Sequence, residues 1–205
     1  MSSGAPATAA PLWAAGERSA TASLRRAAAY ARRLFDRWVV CHGDTVAYLR
    51  RQGMRIGPHA ALLSRVEDFG TEPWLIEIGA RVSVAAGAVF VTHDGASRVF
   101  RQGIAGGSAF GNSFAPIRVL DDSMIGLRAI LMPGVTVGPR SIVGAGSLVT
   151  RDVPPDSVVG GFPGRVLCTL EQYERKYRER MIPGLSSDRA ELRRQLTRHF
   201  WGEPR

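Results

Sequence analysis

The amino-acid sequence predicts a mainly β architecture: a parallel β-helix of hexapeptide repeats with α-helical appendages at its N- and C-terminal ends. Three observations lead there. Apolar residues in the middle of the chain recur every six positions. That period matches neither a helix of 3.6 residues per turn nor a strand alternating in twos. Helix-spaced apolar residues are confined to two arginine-rich flanks.

The repeat is clearest from residue 119 to 154. Its aliphatic positions are Val119, Ile125, Leu131, Val137, Val143 and Val149, and a second small or branched residue follows four places later at Ala129, Val135, Ser141, Ser147 and Val153. The same frame runs earlier through Ile78, Val84 and Phe90, with Val82 and Ala88, and more faintly through Ile56 and Leu62, with Ala60 and Val66. Each hexad can supply one short strand and one corner, the aliphatic side chain facing a narrow core and glycine or another small residue permitting the turn. Three hexads would close a triangular coil. Stacked coils would pair their backbones in register, leaving edges to be capped at both ends.

The flanks supply candidate caps. Leu24, Ala27, Ala28, Ala31, Leu34, Phe35 and Trp38 are helix-spaced, as are Leu170, Tyr173, Tyr177 and Met181, then Leu192, Leu196 and Phe200. Thr169, followed by Glu171 and Gln172, marks a helix start, and Pro183-Gly184 a break. The expected organisation is a disordered tail at 1–18, a helical region at 19–52, the β-helix at 53–167 with a loop insertion at 92–116, and a helical extension at 168–205.

With 205 residues and 45% hydrophobic content, the chain is sized for one domain with a real core. It has no apolar run long enough to span a membrane. An Ala/Ser/Pro-rich start lacks the basic and apolar regions of a secretion signal, so the expected location is the cytoplasm. Cys41 and Cys168 form no CxxC pair and read as packed or idle thiols. The formal charge of +9 comes almost wholly from arginine, with Lys176 the only lysine. Arginines gather at Arg25–Arg37 and Arg175–Arg198 without interleaved base-stacking aromatics, which argues against a nucleic-acid partner. Solvated or interfacial helix faces and attachment of the N-terminal helix to a membrane surface both fit that pattern.

Four motifs occur in order: Phe69-Gly70-Thr71-Glu72-Pro73-Trp74 before Ile78-Gly79; Val91-Thr92-His93-Asp94-Gly95; Met132-Pro133-Gly134-Val135-Thr136-Val137-Gly138; and Val143-Gly144-Ala145-Gly146-Ser147-Leu148-Val149-Thr150-Arg151-Asp152-Val153-Pro154. The run Gly160-Gly161-Phe162-Pro163-Gly164-Arg165 closes the set. Over residues 45 to 180 the sequence thereby resembles the hexapeptide-repeat acyltransferases, and its Thr-His-Asp-Gly stretch is similar to that of the sugar and polysaccharide O-acetyltransferases. The resemblance implies a left-handed parallel β-helix, a homotrimer, and acyl transfer from acetyl-CoA or another acyl-CoA, without a metal, to a small-molecule or glycan acceptor. It also implies that His93 is the catalytic base and that Leu127, Ala145, Thr150, Arg151 and Arg165 bind the coenzyme, the two arginines at its phosphates.

The residues speak to the same chemistry. The repeat breaks at Thr92 and resumes near Ile117, so His93 stands where an insertion leaves the coil, placed to reach a cleft. Imidazole suits removal of a proton from an attacking hydroxyl near neutral pH. No nucleophile elbow is present and neither cysteine is near His93 in sequence, which favours direct transfer over an acyl-enzyme. Asp94 or Glu77 could orient the ring; Asp94 is taken as the partner, although a loop-capping role also fits it. His42, His59 and His199 read as ordinary hydrogen-bonded or exposed histidines. Two departures from the family pattern are Leu127-Arg128, where a small or polar pair is usual, and a long insertion whose glycine-rich run, Gly103 to Ser108, suits an acceptor-site lid. Competing readings are an N-acyltransferase acting on an amino sugar, a silent β-helix scaffold, and a metal-dependent β-helix enzyme, the last disfavoured by four histidines with no close pair.

Overall fold

The computed structural model describes residues 20–41, 43–101 and 111–202, which fall into two compact units, one up to Gln52 and one from Gly53 onward. The expected tail at 1–18 and the glycine-rich run at 103–108 lie outside the described residues.

From Gly53 the chain winds through three parallel sheets in turn. The first holds Arg55–Ile56, Ile76–Ile78, Ile117–Val119 and Thr136–Val137. The second holds Ala61–Leu62, Ser83–Val84, Met124–Ile125, Ile142–Val143 and Ser157–Gly160, and the third Val89–Phe90, Ile130–Leu131 and Leu148–Val149. Where the repeat is regular, the stacked partners are Val119↔Val137, Ile125↔Val143 and Leu131↔Val149, so the chain returns to the same sheet at every third hexad and three hexads make one coil. Each coil satisfies the backbone of the next: Gly126 N donates to Val143 O at 2.8 Å and Met132 N to Val149 O at 2.9 Å.

The aliphatic hexad positions form the core. Ile78, Val84, Phe90, Val119, Ile125, Leu131, Val137, Val143 and Val149 are at most 2% exposed, and Val82, Ala88, Ala129, Ser141 and Ser147 are fully buried beside them. A buried hydroxyl left unpaired costs about 1–3 kcal/mol. Ser141 avoids that by donating to Pro154 O at 2.7 Å, and Ser123 by donating to Gly138 O at 2.9 Å.

The corners differ from the simplest expectation. Hexad glycines were expected to supply a special turn conformation, yet Gly126 and Gly138 do not occupy the left-handed region. A Cβ on either would come within 2.6 Å of a backbone nitrogen in the next coil, that of Ala145 or Pro155. Close coil stacking is therefore what requires glycine there. One of the left-handed corners instead carries ordinary side chains: Arg81, Asp122, Arg140 and Asp156 all have φ between 53° and 58°. They pair up the corner, Arg81 Nε with Asp122 Oδ1 and Arg140 Nε with Asp156 Oδ1, each at 2.6 Å.

Two coils are longer than three hexads, and the two excursions bring Glu72 and His93 together. Ile56 stacks on Ile78, and the surplus residues between them form 3-10 turns at Val66–Phe69 and Pro73–Leu75. Phe90 stacks on Leu131 across a much longer excursion. Here the chain leaves after Thr92, forms the short antiparallel pair His93–Asp94 with Ser113–Phe114 and a helical turn Arg98–Arg101, and returns where Ala115 N donates to Thr92 O at 3.1 Å.

At the C-terminal end, Arg165–Thr169 runs antiparallel to Ser157–Gly160 and covers the edge of the second sheet. The helical extension expected from residue 168 therefore begins at Leu170, because Cys168 and Thr169 are still hydrogen-bonded as strand. Thr169 caps the helix Leu170–Arg178 as its sequence suggested: Gln172 N donates to Thr169 Oγ1 at 3.2 Å and Thr169 N to Gln172 Oε1 at 3.1 Å. A second helix, Arg189–Trp201, follows. The N-terminal unit holds the helix Ala20–Phe35, a wider-wound segment Asp36–Val40, and the helix Thr45–Arg51 capped by Asp44. Among the described residues no helix is long and apolar enough to cross a membrane.

Candidate active site

The longer first coil delivers a carboxylate to His93. Phe69, fully buried, stacks on Phe90 with ring centroids 5.0 Å apart. Gly70 follows at φ 71°, where a Cβ would lie 3.1 Å from Phe90 O and 3.3 Å from Thr92 Oγ1. The segment thus lies directly on Phe90–Thr92, and Glu72 is carried to the residue that leaves the coil.

Glu72 is held from several sides. Thr71 Oγ1 donates to its Oε1 at 2.6 Å, Thr92 Oγ1 donates to its Oε2 at 2.7 Å, and His93 Nδ1 lies 2.9 Å from that same Oε2. Burial raises the Glu72 pKa, but the donors Thr71, Thr92 and His93, together with attraction to the histidine, outweigh it and hold the carboxyl below the ordinary glutamate value. An ionised carboxylate only accepts hydrogen bonds, so Nδ1 of the neutral ring carries the proton and Nε2 keeps its lone pair. The His93 side chain remains 36% exposed. Phe114, its partner across the antiparallel pair, packs against the ring with centroids 5.5 Å apart.

The orienting carboxylate is therefore Glu72 rather than Asp94. Asp94 Oδ1 accepts from Ala96 N at 2.7 Å and caps the turn that starts the excursion, the role a short acidic side chain takes where the chain reverses. Glu77 is committed to Arg55 at 3.5 Å and Arg118 at 3.8 Å. Sequence reasoning quoted Glu72 within a motif but gave it no part. The usable signal was its place among surplus residues between two hexad frames.

The expected coenzyme residues flank the third sheet. On one side Leu127 and Ala145 occupy successive coils of one corner, where Gly146 N donates to Leu127 O at 2.8 Å. On the other, Val91 N donates to Leu131 O and Met132 N to Val149 O, which puts Val91, Met132 and Thr150 in one row. The next row along places Thr92, the residue before His93, two coils or about 10 Å from Arg151 on the same side. Arg151 and Arg165 line one depression of about 140 Å³ with Val149, Val153, Val159 and Val166. Asp152 lies in the same lining, its Oδ1 accepting from Thr136 N at 2.7 Å, so the depression carries two guanidinium groups and one carboxylate over an aliphatic floor. A larger surface depression, about 820 Å³ along the helix Arg189–Trp201, contains none of the candidate residues. Among the described residues no cluster of three or more His, Cys, Asp or Glu side chains could hold a metal ion.

A family model described as the hexapeptide repeat of succinyl-transferase matches residues 116–151, the regular coils. Protein CapG of Staphylococcus aureus is 38% identical over 132 residues, covering 64% of this chain and 74% of CapG. The chain belongs to the hexapeptide-repeat acyltransferases. As a member of that family it is an acyltransferase that draws on a coenzyme A thioester. Escherichia coli galactoside O-acetyltransferase is 40% identical over 62 residues, 30% of each chain, so the chain spans under a third of that relative's length. Among solved structures, a hexapeptide-repeat-containing acetyltransferase of Vibrio cholerae matches 75% of this chain and 94% of its own at 25% identity and a TM-score of 0.53. That protein has also been solved with acetyl coenzyme A bound.

Proposed function

We propose that this hexapeptide-repeat acyltransferase moves an acetyl group from acetyl-CoA directly to a hydroxyl of a sugar, glycan precursor or glycosylated metabolite, with His93 as general base. The observation that carries this reading is the Glu72–His93 pair at the point where the repeat is interrupted. Glu72 fixes the tautomer, so His93 Nε2 can take the proton of the acceptor hydroxyl as its oxygen attacks, while the ionised carboxylate balances the charge appearing on the ring. His93 then returns that proton to the departing sulfur. Leu127, Ala145, Thr150, Arg151 and Arg165 would hold the coenzyme, the arginines at its phosphates. When bound, acetyl-CoA supplies the activated acyl carbon. Left-handed winding, homotrimeric assembly and a cytoplasmic site of action go with this reading.

The test is turnover by purified His93→Ala with acetyl-CoA and a panel of hydroxyl and amino-sugar acceptors. A drop of roughly two to four decades with unchanged acetyl-CoA binding is expected of a lost general base. Near-normal turnover would refute His93 as the base, and acceptance of amino sugars alone would replace the O-acyl reading with an N-acyl one.

A further inference from the structure

The helix Ala20–Phe35 and the segment Asp36–Val40 after it carry an exposed apolar stripe. Arg25 and residues 27–35 are all exposed, and Leu34, Phe35 and Trp38 are 41%, 56% and 61% accessible. At about 100° per residue, Ala27, Ala28, Ala31, Leu34 and Phe35 fall within an arc of about 120°. Trp38 stays on that arc even through the wider-wound segment Asp36–Val40. Arg25 and Arg32 border the stripe on one side and Arg33 on the other, while the Arg37 guanidinium lies over the Trp38 ring, 5.3 Å from its centroid. The helix has no acidic residue in its first turn, and the acid that follows it, Asp36, lies 3.5 Å from Arg51.

An apolar stripe could be covered by protein or by lipid, and the charges decide between them. Packing against a second copy of the same helix would bring its arginines together, and the helix Ala20–Phe35 holds no carboxylate to match them. An anionic bilayer offers acyl chains for the stripe and phosphates for the arginines, while tryptophan suits the boundary between them.

We propose that this helix lies in the plane of an anionic membrane surface, its Leu34–Phe35–Trp38 stripe in the acyl boundary and its arginines on the phosphates. The proposal is independent of the transferase reading. The test is co-sedimentation of the full chain with vesicles of phosphatidylcholine alone or mixed with phosphatidylglycerol, beside the double variant Leu34→Glu, Trp38→Glu and single arginine-to-glutamine variants. The wild-type chain is expected to pellet with the mixed vesicles only, and less so in high salt. The double variant should remain in solution while binding acetyl-CoA with unchanged affinity, and each arginine replaced should lower partitioning about fivefold. A wild-type chain that stays in solution with the mixed vesicles overturns the proposal. So does a double variant that still pellets, or one whose only change is a smaller mass in solution, which would assign the stripe to contacts between copies.

Discussion

At the residue scale, the proposal that His93 is the base makes Glu72, bonded to its Nδ1, a positioning residue with two separable roles. Glu72→Gln keeps an acceptor for Nδ1 but removes the charge. A hydrogen bond to a charged group is worth about 1.5–3 kcal/mol, so kcat should fall roughly tenfold to a hundredfold while KM for acetyl-CoA holds. Equal loss in both parameters would point to a collapsed site instead. The second role concerns stability. The folded-state pKa of Glu72 is depressed, so its carboxylate stabilises the fold above the unfolded-state value, and that contribution is lost as pH falls through the folded value. Wild type should therefore melt above Glu72→Gln at neutral pH, the gap closing as pH drops below about 4. The place of His93 at the interruption was legible in the sequence because a break in a six-residue frame is visible without any structure. Its partner was not. Glu72 and His93 are far apart along the chain, and only the stacking of Phe69 on Phe90 brings them together. Asp94 was adjacent and acidic, but adjacency along a strand sends neighbouring side chains to opposite faces.

At the scale of elements, the hexads were legible because burial on a narrow core leaves a periodic trace: nine aliphatic positions from Ile78 to Val149 lie within 2% of full burial. The corners left a weaker trace. Gly87, Arg128 and Gly146 hold one corner position, with φ of 70°, 54° and 67°. An arginine there looked like an anomaly in the coenzyme groove when only its neighbours in sequence were considered. The backbone shows that it shares a left-handed position with two glycines, a conformation costly for most side chains and costlier for a β-branched one. Arg128→Gly should leave the thermal midpoint level or slightly raised, whereas Arg128→Val should lower it by about 2–4 °C. Equal midpoints for the two would mean that this corner is not strained. The strand Arg165–Thr169 was illegible for a different reason. Val166-Leu167-Cys168 reads equally well as the start of an apolar helix face, and only pairing with Ser157–Gly160, with Leu167 as an extra bulged residue, settles the strand.

At the scale of the whole molecule, the C-terminal hairpin bears on assembly. Phe162 is 72% exposed, Val166 55% and Leu167 67%, three apolar side chains near one another in sequence on a hairpin that covers the C-terminal edge of the second sheet. Water is a poor neighbour for such a cluster, and packing between copies would remove it. Arg165 belongs to the same strand and lines the depression proposed for the coenzyme phosphates, so assembly through this hairpin would share an element with donor binding. If copies meet here as a homotrimer, the chain should sediment at about three times its 22.2 kDa mass. Phe162→Glu with Leu167→Glu, neither of which lines that depression, should then shift it toward one chain and weaken acetyl-CoA binding together, because the strand carrying Arg165 loses its packing. Arg165→Ala should weaken acetyl-CoA binding and leave the mass alone. A fully active species of single-chain mass would remove the trimer from the account. A double variant that dissociates while binding acetyl-CoA normally would separate the hairpin's outer face from the donor site and make that face a surface for assembly alone.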